Sequence, residues 1–369
     1  ALVQAGFRKG SYEELDPINH VNCSQSTNDT YPTAIALTVY KKTELLMEVL
    51  EDLRAAFVHK ASEFKGVLKM GRTQLQDAVP MLLGQEFHGF SSSVSDCICS
   101  LSQAQQLFCG VNLGGTAIGT SINAPLGFPE MVTDLLSELT GIPLHLKKDL
   151  ISAGSDCGDY LQLSGTLKRT AMVLSKISND LRLLASGPRA GLNEITLPAL
   201  QAGSSIMPGK INPVVPEVMN QTAFYVAGAD VTISMAAEAG QLQLNVMEPV
   251  ISYSLFHSLD LLTRSVKLLT VKCVRGIEAH PLVCEQYVFN SIGIVTALCP
   301  YIGYETSSAI AKEALETGKS VYWITVKEKQ LLLHSDWMSI MSPVNLVHPS
   351  IIKGIRARTI AQNSELESS

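Results

Sequence analysis

Charge and aromatic side chains are both scarce. Asp, Glu, Lys and Arg make up 17% of the 369 residues, and Phe, Trp and Tyr make up 6%. The 28 Lys and Arg are outnumbered by 34 Asp and Glu, giving a net charge of −6. Phosphate contacts need a basic stripe, so a dedicated nucleic-acid binder is excluded. No run of about 18 apolar residues occurs, and no transmembrane helix is expected. The eight cysteines are scattered, with a C-x-C at Cys97 and Cys99 and no C-x-x-C. That usage excludes a disulfide scaffold or a zinc ribbon and reads as free thiols in a reducing compartment. The eight histidines are equally dispersed, with no H-x-x-x-H pair and no Cys/His cluster, so no zinc site is expected.

What is abundant is apolar surface. Hydrophobic residues reach 46% and the mean hydropathy is +0.19. That excludes disorder and points to extensive burial, including burial between subunits. The chain opens without an initiator Met or the apolar stretch of a signal peptide. Ala1, Leu2, Val3 and Phe7 before Gly10 read as the tail of an interrupted helical pattern.

Helical periodicity dominates. Ile35, Val39, Leu46, Leu50, Leu53, Phe57 and Phe64 recur at steps of three, four or seven, placing them on one stripe of a helix. A helix over Pro32–Phe64 is expected, roughly 50 Å long at about 1.5 Å per residue. Pro32 suits its first turn and Gly66 its exit. Further long helices are expected over Met81–Phe108, Asp159–Leu184, Pro213–Ala239 and Pro249–Val274. Strand-like alternation is scarce, so these helices should pack as a bundle. After about His280, Pro300, Gly303, Gly318 and Pro343 mark shorter helices and a smaller C-terminal domain. The polar end, Gln362–Ser369, reads as a frayed tail.

The loops between helices carry the chemistry. Gly203-Ser204-Ser205-Ile206-Met207-Pro208-Gly209-Lys210-Ile211-Asn212-Pro213 is the densest. It is no Walker A loop, since five residues separate its glycines and Ile211 follows Lys210. It offers two hydroxyls, one cation and one amide before a helix N-terminus, which suits carboxylate recognition and anion stabilisation. The plain alternative is a mobile surface loop. Ser26, Thr27 and Asn28 stand before the Pro32 helix, where they can cap it or form an anion site. Arg72, Thr73 and Gln74 lie between two long helices, with a structural Arg72–Asp77 salt bridge as the plain reading. Gly114–Gly119 lacks dinucleotide-binding spacing.

The 203–213 segment fits G-S-S-x-M-P-x-K-x-N-P and resembles the signature of the fumarase/aspartase superfamily. Segments 21–30 and 71–80 match the same family in the same order, as do 187–194 and 237–245. The likeness runs from about Phe7 to about Ala357. Thr73-Gln74 is similar to the aspartase branch, because the fumarase branch usually has Thr-His there. The resemblance implies an all-α fold of three domains: residues 1–25 as the remnant of an N-terminal domain, 26–280 as a central helical bundle with the catalytic loop 201–213, and 281–369 as a small helical C-terminal domain. It implies a homotetramer whose subunits each give five helices to a twenty-helix core, with each active site shared by three subunits. The family also carries an upstream helical domain, so the chain is expected to lack more than about 100 residues, the size of a small domain. Activity of the chain alone is in question on that ground.

The implied reaction is the reversible anti elimination of ammonia from L-aspartate to give fumarate, through an aci-carboxylate. By resemblance Ser204 is the base. Lys210 and Asn212 bind one carboxylate, Ser26 and Thr27 grip the other, and Thr73 and Gln74 add contacts. Asn28 receives the amino group, and Ser205 and Glu217 support the site, Glu217 by orienting Gln74. No cofactor and no resident metal are implied, with a divalent cation such as Mg²⁺ only as an activator. A cytoplasmic enzyme with no membrane or nucleic-acid partner is expected. Class II fumarate hydratase, another lyase of the superfamily, and a catalytically silent structural relative remain open alternatives.

Overall fold

The computed structural model describes residues 1–201, 203, 205–347 and 355. Five long helices carry the chain: α1 (Thr27–Glu63), α2 (Leu83–Gln106), α5 (Gly158–Leu184), α6 (Val214–Glu238) and α7 (Glu248–Lys272). The apolar stripe read in α1 is the buried stripe: Ile35, Val39, Leu46, Leu50, Leu53, Phe57 and Phe64 are each at most 2% exposed. Burying each such side chain contributes about 1.5–3 kcal/mol, far more than helix propensity supplies. Shorter helices are α3 (Phe128–Thr140), α4 (Leu150–Ala153), α8 (Pro281–Asn290), α9 (Cys299–Ile302), α10 (Tyr304–Thr317), α11 (His334–Ile340) and α12 (Pro343–Val347). No single helix among the described residues is long and apolar enough to cross a membrane.

Two details depart from expectation. Helix α1 begins at Thr27, which puts Pro32 inside it and not in its first turn. Proline donates no N–H, so the Asn28 carbonyl four residues back lacks its helical partner. The Asn112 side-chain amide donates to that carbonyl at 3.1 Å and fills the gap. The second departure is the stretch after α1, read as a loop. It is a hairpin of β1 (Leu68–Thr73) and β2 (Gln76–Leu82), antiparallel, with a bulge between Met70 and Arg72.

The chain forms two compact units. The first contains residues 1–54, 92–179 and 214–271 and holds most of the long-helix bundle. Strands β3 (Gly110–Val111) and β4 (His145–Leu146) pair in parallel at its margin. Its interior is not wholly apolar. Asp230 accepts from the Ser164 hydroxyl at 2.6 Å and pairs with Lys168, while the Thr222 and Ser265 hydroxyls bond at 2.8 Å. Such pairs fix which helix faces meet, since a slip would leave them unpaired. Asn245 ties the end of α6 to the start of α7. Its amide donates to the Ala236 and Ala237 carbonyls, and its oxygen accepts from the Met247 N–H.

The second unit contains residues 55–91, 180–213 and the described residues from 272 onward. Phe57, Phe64, Phe87 and Phe90 form an aromatic cluster with ring centroids 5.1–6.1 Å apart. Beside the hairpin, α8–α12 enclose a core that includes Met70, Leu298, Ile310, Ile324 and Trp337. Strands β5 (Ile195–Thr196) and β6 (Glu278–Ala279) pair antiparallel.

Candidate active site

In the first unit, Ser26 is the N-cap of α1. Its hydroxyl oxygen accepts from the Asn28 N–H at 3.2 Å, and its own N–H donates to Asp29 Oδ1 at 3.0 Å. This reciprocal pair satisfies two backbone donors that the helix cannot. Asp29 is fully buried, and its Oδ2 accepts from the Gly114 and Thr116 N–H groups at 3.1 and 2.8 Å. The Asn28 amide donates to the Ala117 carbonyl at 2.9 Å. The loop after Val111 is thereby zipped to the start of α1. Thr27, the first helical residue, is left exposed at a helix N-terminus, where partial positive charge favours an anion. Capping and anion reception are therefore compatible at this segment. Glu217 lies in the first turn of α6, in the same unit.

In the second unit, Thr73 and Gln74 stand exposed at the tip of the β1–β2 hairpin. Gln74 and Leu75 both have positive φ, 54° and 63°, so the two-residue turn is left-handed at both positions. Such turns favour Asn-Gly; neither Gln nor Leu suits them. The Arg72–Asp77 salt bridge read from sequence does not form. Arg72 Nη1 donates to Glu194 Oε1 at 2.6 Å, and Asp77 accepts from the Ser291 hydroxyl at 2.6 Å. Those partners lie 122 and 214 positions away, beyond the reach of a local reading.

The loop that carries Lys210 closes on itself. Gly203 has φ +88°, and a Cβ there would lie 2.8 Å from the Lys210 carbonyl oxygen, so glycine is needed where the loop's two ends meet. Ser205 and Lys210 are exposed and Asn212 is half-buried. Ser204 lies outside the described residues. Lys210 and Asn212 line a cavity of about 470 Å³ with Gly187, Pro188, Asn193 and Thr196. The structure thus brings Lys210 and Asn212 together on one cavity, and Ser26, Thr27 and Asn28 together at one helix start. Thr73 and Gln74 share the hairpin tip.

Sequence reasoning missed Asp29, Lys69 and Glu194. For Asp29 a signal existed, because Ser26-x-x-Asp29 is a capping-box pattern. Glu194 is fully buried and accepts from Arg72, while Lys69 Nζ lies 3.0 Å from its other oxygen. Burial pushes the nearby Cys284 thiol up to about 12, so it is no nucleophile. Among the described residues no group of three or more His, Cys, Asp or Glu is placed to hold a metal ion.

A family match spans all of these segments. Residues 3–228 match the family described as Lyase, and residues 294–348 match the one described as Fumarase C C-terminus. The aspartate ammonia-lyase of Helicobacter pylori is 52% identical over 353 residues, covering 96% of this chain and 75% of that protein. The aspartate ammonia-lyase of Escherichia coli is 53% identical over 345 residues, covering 94% of this chain and 72% of that protein. Among solved structures, the fumarate lyase:delta crystallin of Brucella melitensis bound to cobalt aligns with a TM-score of 0.91 at 46% identity. That alignment covers 94% of this chain and 75% of the other. The recombinant class II fumarase of Schistosoma mansoni aligns with a TM-score of 0.86 at 36% identity, covering 90% and 73%.

Proposed function

The chain belongs to the fumarase/aspartase superfamily of lyases, and from that premise we propose that it is an aspartate ammonia-lyase, converting L-aspartate to fumarate and ammonia. The observation that carries this reading is the 52–53% identity to aspartate ammonia-lyases over 94–96% of the chain.

The chemistry sets what the site must do. A proton on Cβ beside a carboxylate is very weakly acidic, so its removal requires stabilisation of the charge that spreads into that carboxylate. Ser204 takes the Cβ proton, and ammonia then leaves Cα. A serine hydroxyl serves as base only when its ionised form is stabilised by nearby donors, which a glycine-bearing loop can supply through backbone N–H groups. Lys210 and Asn212 bind one substrate carboxylate. Ser26 and Thr27, at the N-terminus of α1, hold the other. The Asn28 amide nitrogen is already engaged with Ala117, which leaves its side-chain oxygen to accept from the substrate ammonium. Thr73 and Gln74 add contacts, Glu217 orients Gln74, and Ser205 supports the loop.

The same reading includes a homotetramer with active sites shared by three subunits, in a cytoplasmic setting. Apolar side chains on α6 and α7 support that assembly: Phe224, Met235 and Tyr253 are 65%, 69% and 65% exposed. Faces of this kind need a partner, and copies of the chain would close the twenty-helix core. Light scattering tests the assembly. The activity test is the rise in fumarate's ultraviolet absorbance on adding L-aspartate. Turnover of L-malate without L-aspartate would replace the reading with fumarase.

A further inference from the structure

We propose that Arg72 and Glu194 are positioning residues: with Lys69 they form a buried charged cluster that holds the hairpin tip, Thr73 and Gln74, in its substrate-binding geometry. The inference deepens the functional reading above and rests on it.

The cluster lies beside an irregularity in the hairpin. Lys69 and Arg72 are three apart, and in a regular strand they would point to opposite faces. Between the Met70–Pro80 and Arg72–Asp77 pairs β1 has one residue and β2 has two, so the extra residue of the bulge lies in β2, and both long side chains nonetheless reach Glu194. Gly71 faces the bulge, and a Cβ there would lie 2.8 Å from the Val79 carbonyl oxygen. Both cations then meet Glu194: Arg72 Nη1 at 2.6 Å and Lys69 Nζ at 3.0 Å. Lys69 also pairs with Glu86 at 2.6 Å, so two cations face two carboxylates. The Arg72 guanidinium lies 5.4 Å from the Tyr287 ring centre, and the Tyr287 hydroxyl donates to the Gly191 carbonyl.

Glu194 is itself a fixed post. Its N–H donates to the Leu184 carbonyl, and its carbonyl accepts from the His280 N–H, both at 2.9 Å. Its side chain is fully buried. The tip needs such a post, because Gln74 and Leu75 do not favour their own left-handed turn. Stability alone does not account for the cluster. Replacing a buried ion pair or triad with well-packed apolar residues is often neutral or stabilising, whereas the charges impose one geometry.

The decisive variant replaces the set at once: Lys69→Met, Arg72→Met and Glu194→Leu, with Glu86→Gln so that no carboxylate is left without its cation. Positioning predicts a folded protein with kcat/KM for aspartate down about 100-fold. The loss should fall mainly on KM, because Thr73 and Gln74 bind substrate. A loss of folded fraction would lower kcat and leave KM unchanged. Hydrogen exchange at the amides of residues 73–76 should accelerate, while the long helices keep their protection. Arg72→Lys retains the charge and removes the planar fork, so it serves if the combined variant does not fold. It should lower kcat/KM about tenfold, again mainly through KM. Wild-type KM together with wild-type exchange at the tip, in whichever variant folds, overturns the proposal. Lack of aspartate turnover by the wild-type protein overturns the functional reading instead, and the exchange measurement still decides whether the cluster holds the tip.

Discussion

Glu248→Gln is expected to stabilise the protein more at about pH 8 than at about pH 5, by about 2–3 kcal/mol. Glu248 opens α7 and is 9% exposed. It lines a small cavity of about 30 Å³ with Asn112, Lys147, Asp156, Asp159 and Tyr160. Two effects oppose each other there. The helix N-terminus favours the carboxylate by about 0.3–1 kcal/mol, and burial disfavours it. Burial wins, raising the carboxyl from 4.5 to about 7. The sign follows directly. Below pH 4.5 the carboxyl is protonated in both folded and unfolded chains and costs nothing. As the pH rises toward about 7, the unfolded carboxyl ionises while the folded one keeps its proton, so stability falls. Above about 7 the full penalty is present, about 3.5 kcal/mol at 1.4 kcal/mol per pH unit.

Glutamine keeps the shape and does not titrate. Urea unfolding of the wild type and variant, at one protein concentration and both pH values, isolates the effect because titrating groups that Glu248 does not influence cancel in the difference, and Cys157 and Tyr160 stay protonated at both pH values. An equal stability difference at both pH values would refute the burial argument. It would mean that Glu248 ionises in the folded protein as easily as in the unfolded chain. The same charge also reaches its neighbour. Burial first, and then Glu248, pushes the Cys157 thiol up to about 11, so the substitution should bring that thiol down.

Other expectations concern the site. Ser204→Ala should lower kcat by about 10³-fold or more while light scattering shows the same assembly; unchanged turnover removes Ser204 as the base. Lys210→Ala should raise KM for aspartate about 10–100-fold, and an unchanged KM removes it as a carboxylate ligand. Asp29→Asn weakens the acceptor set facing the Ser26, Gly114 and Thr116 N–H groups and should cost about 2–4 kcal/mol in urea unfolding. A change below about 0.5 kcal/mol would show that the loop does not depend on those bonds.

Local order was legible where a repeating pattern carried it. The stripe from Ile35 to Phe64 showed a long helix because burial follows the 3.6-residue period, and the same logic located α2, α5, α6 and α7. Helix ends were less legible where distant groups decide them. Pro32 looked like a first turn because Asn112, which donates to the Asn28 carbonyl that Pro32 leaves open, is 84 positions from Asn28 and only the fold supplies that donor. The segments proposed to bind a carboxylate were also visible, since Ser26-Thr27 and Lys210-x-Asn212 are dense in the right groups. What joins them to the scaffold was not. Arg72 and Asp77 face each other in the hairpin register, so a local reading pairs them, yet Arg72 and Lys69 both pair with Glu194. A glycine inside a strand is a sequence signal that another backbone segment approaches closely. Here it sat in a stretch without strand-like alternation, so no strand was inferred that it could interrupt. Glu194 lies far along the chain, and Gly71 is forced by the Val79 carbonyl, a contact that exists only once the hairpin has formed.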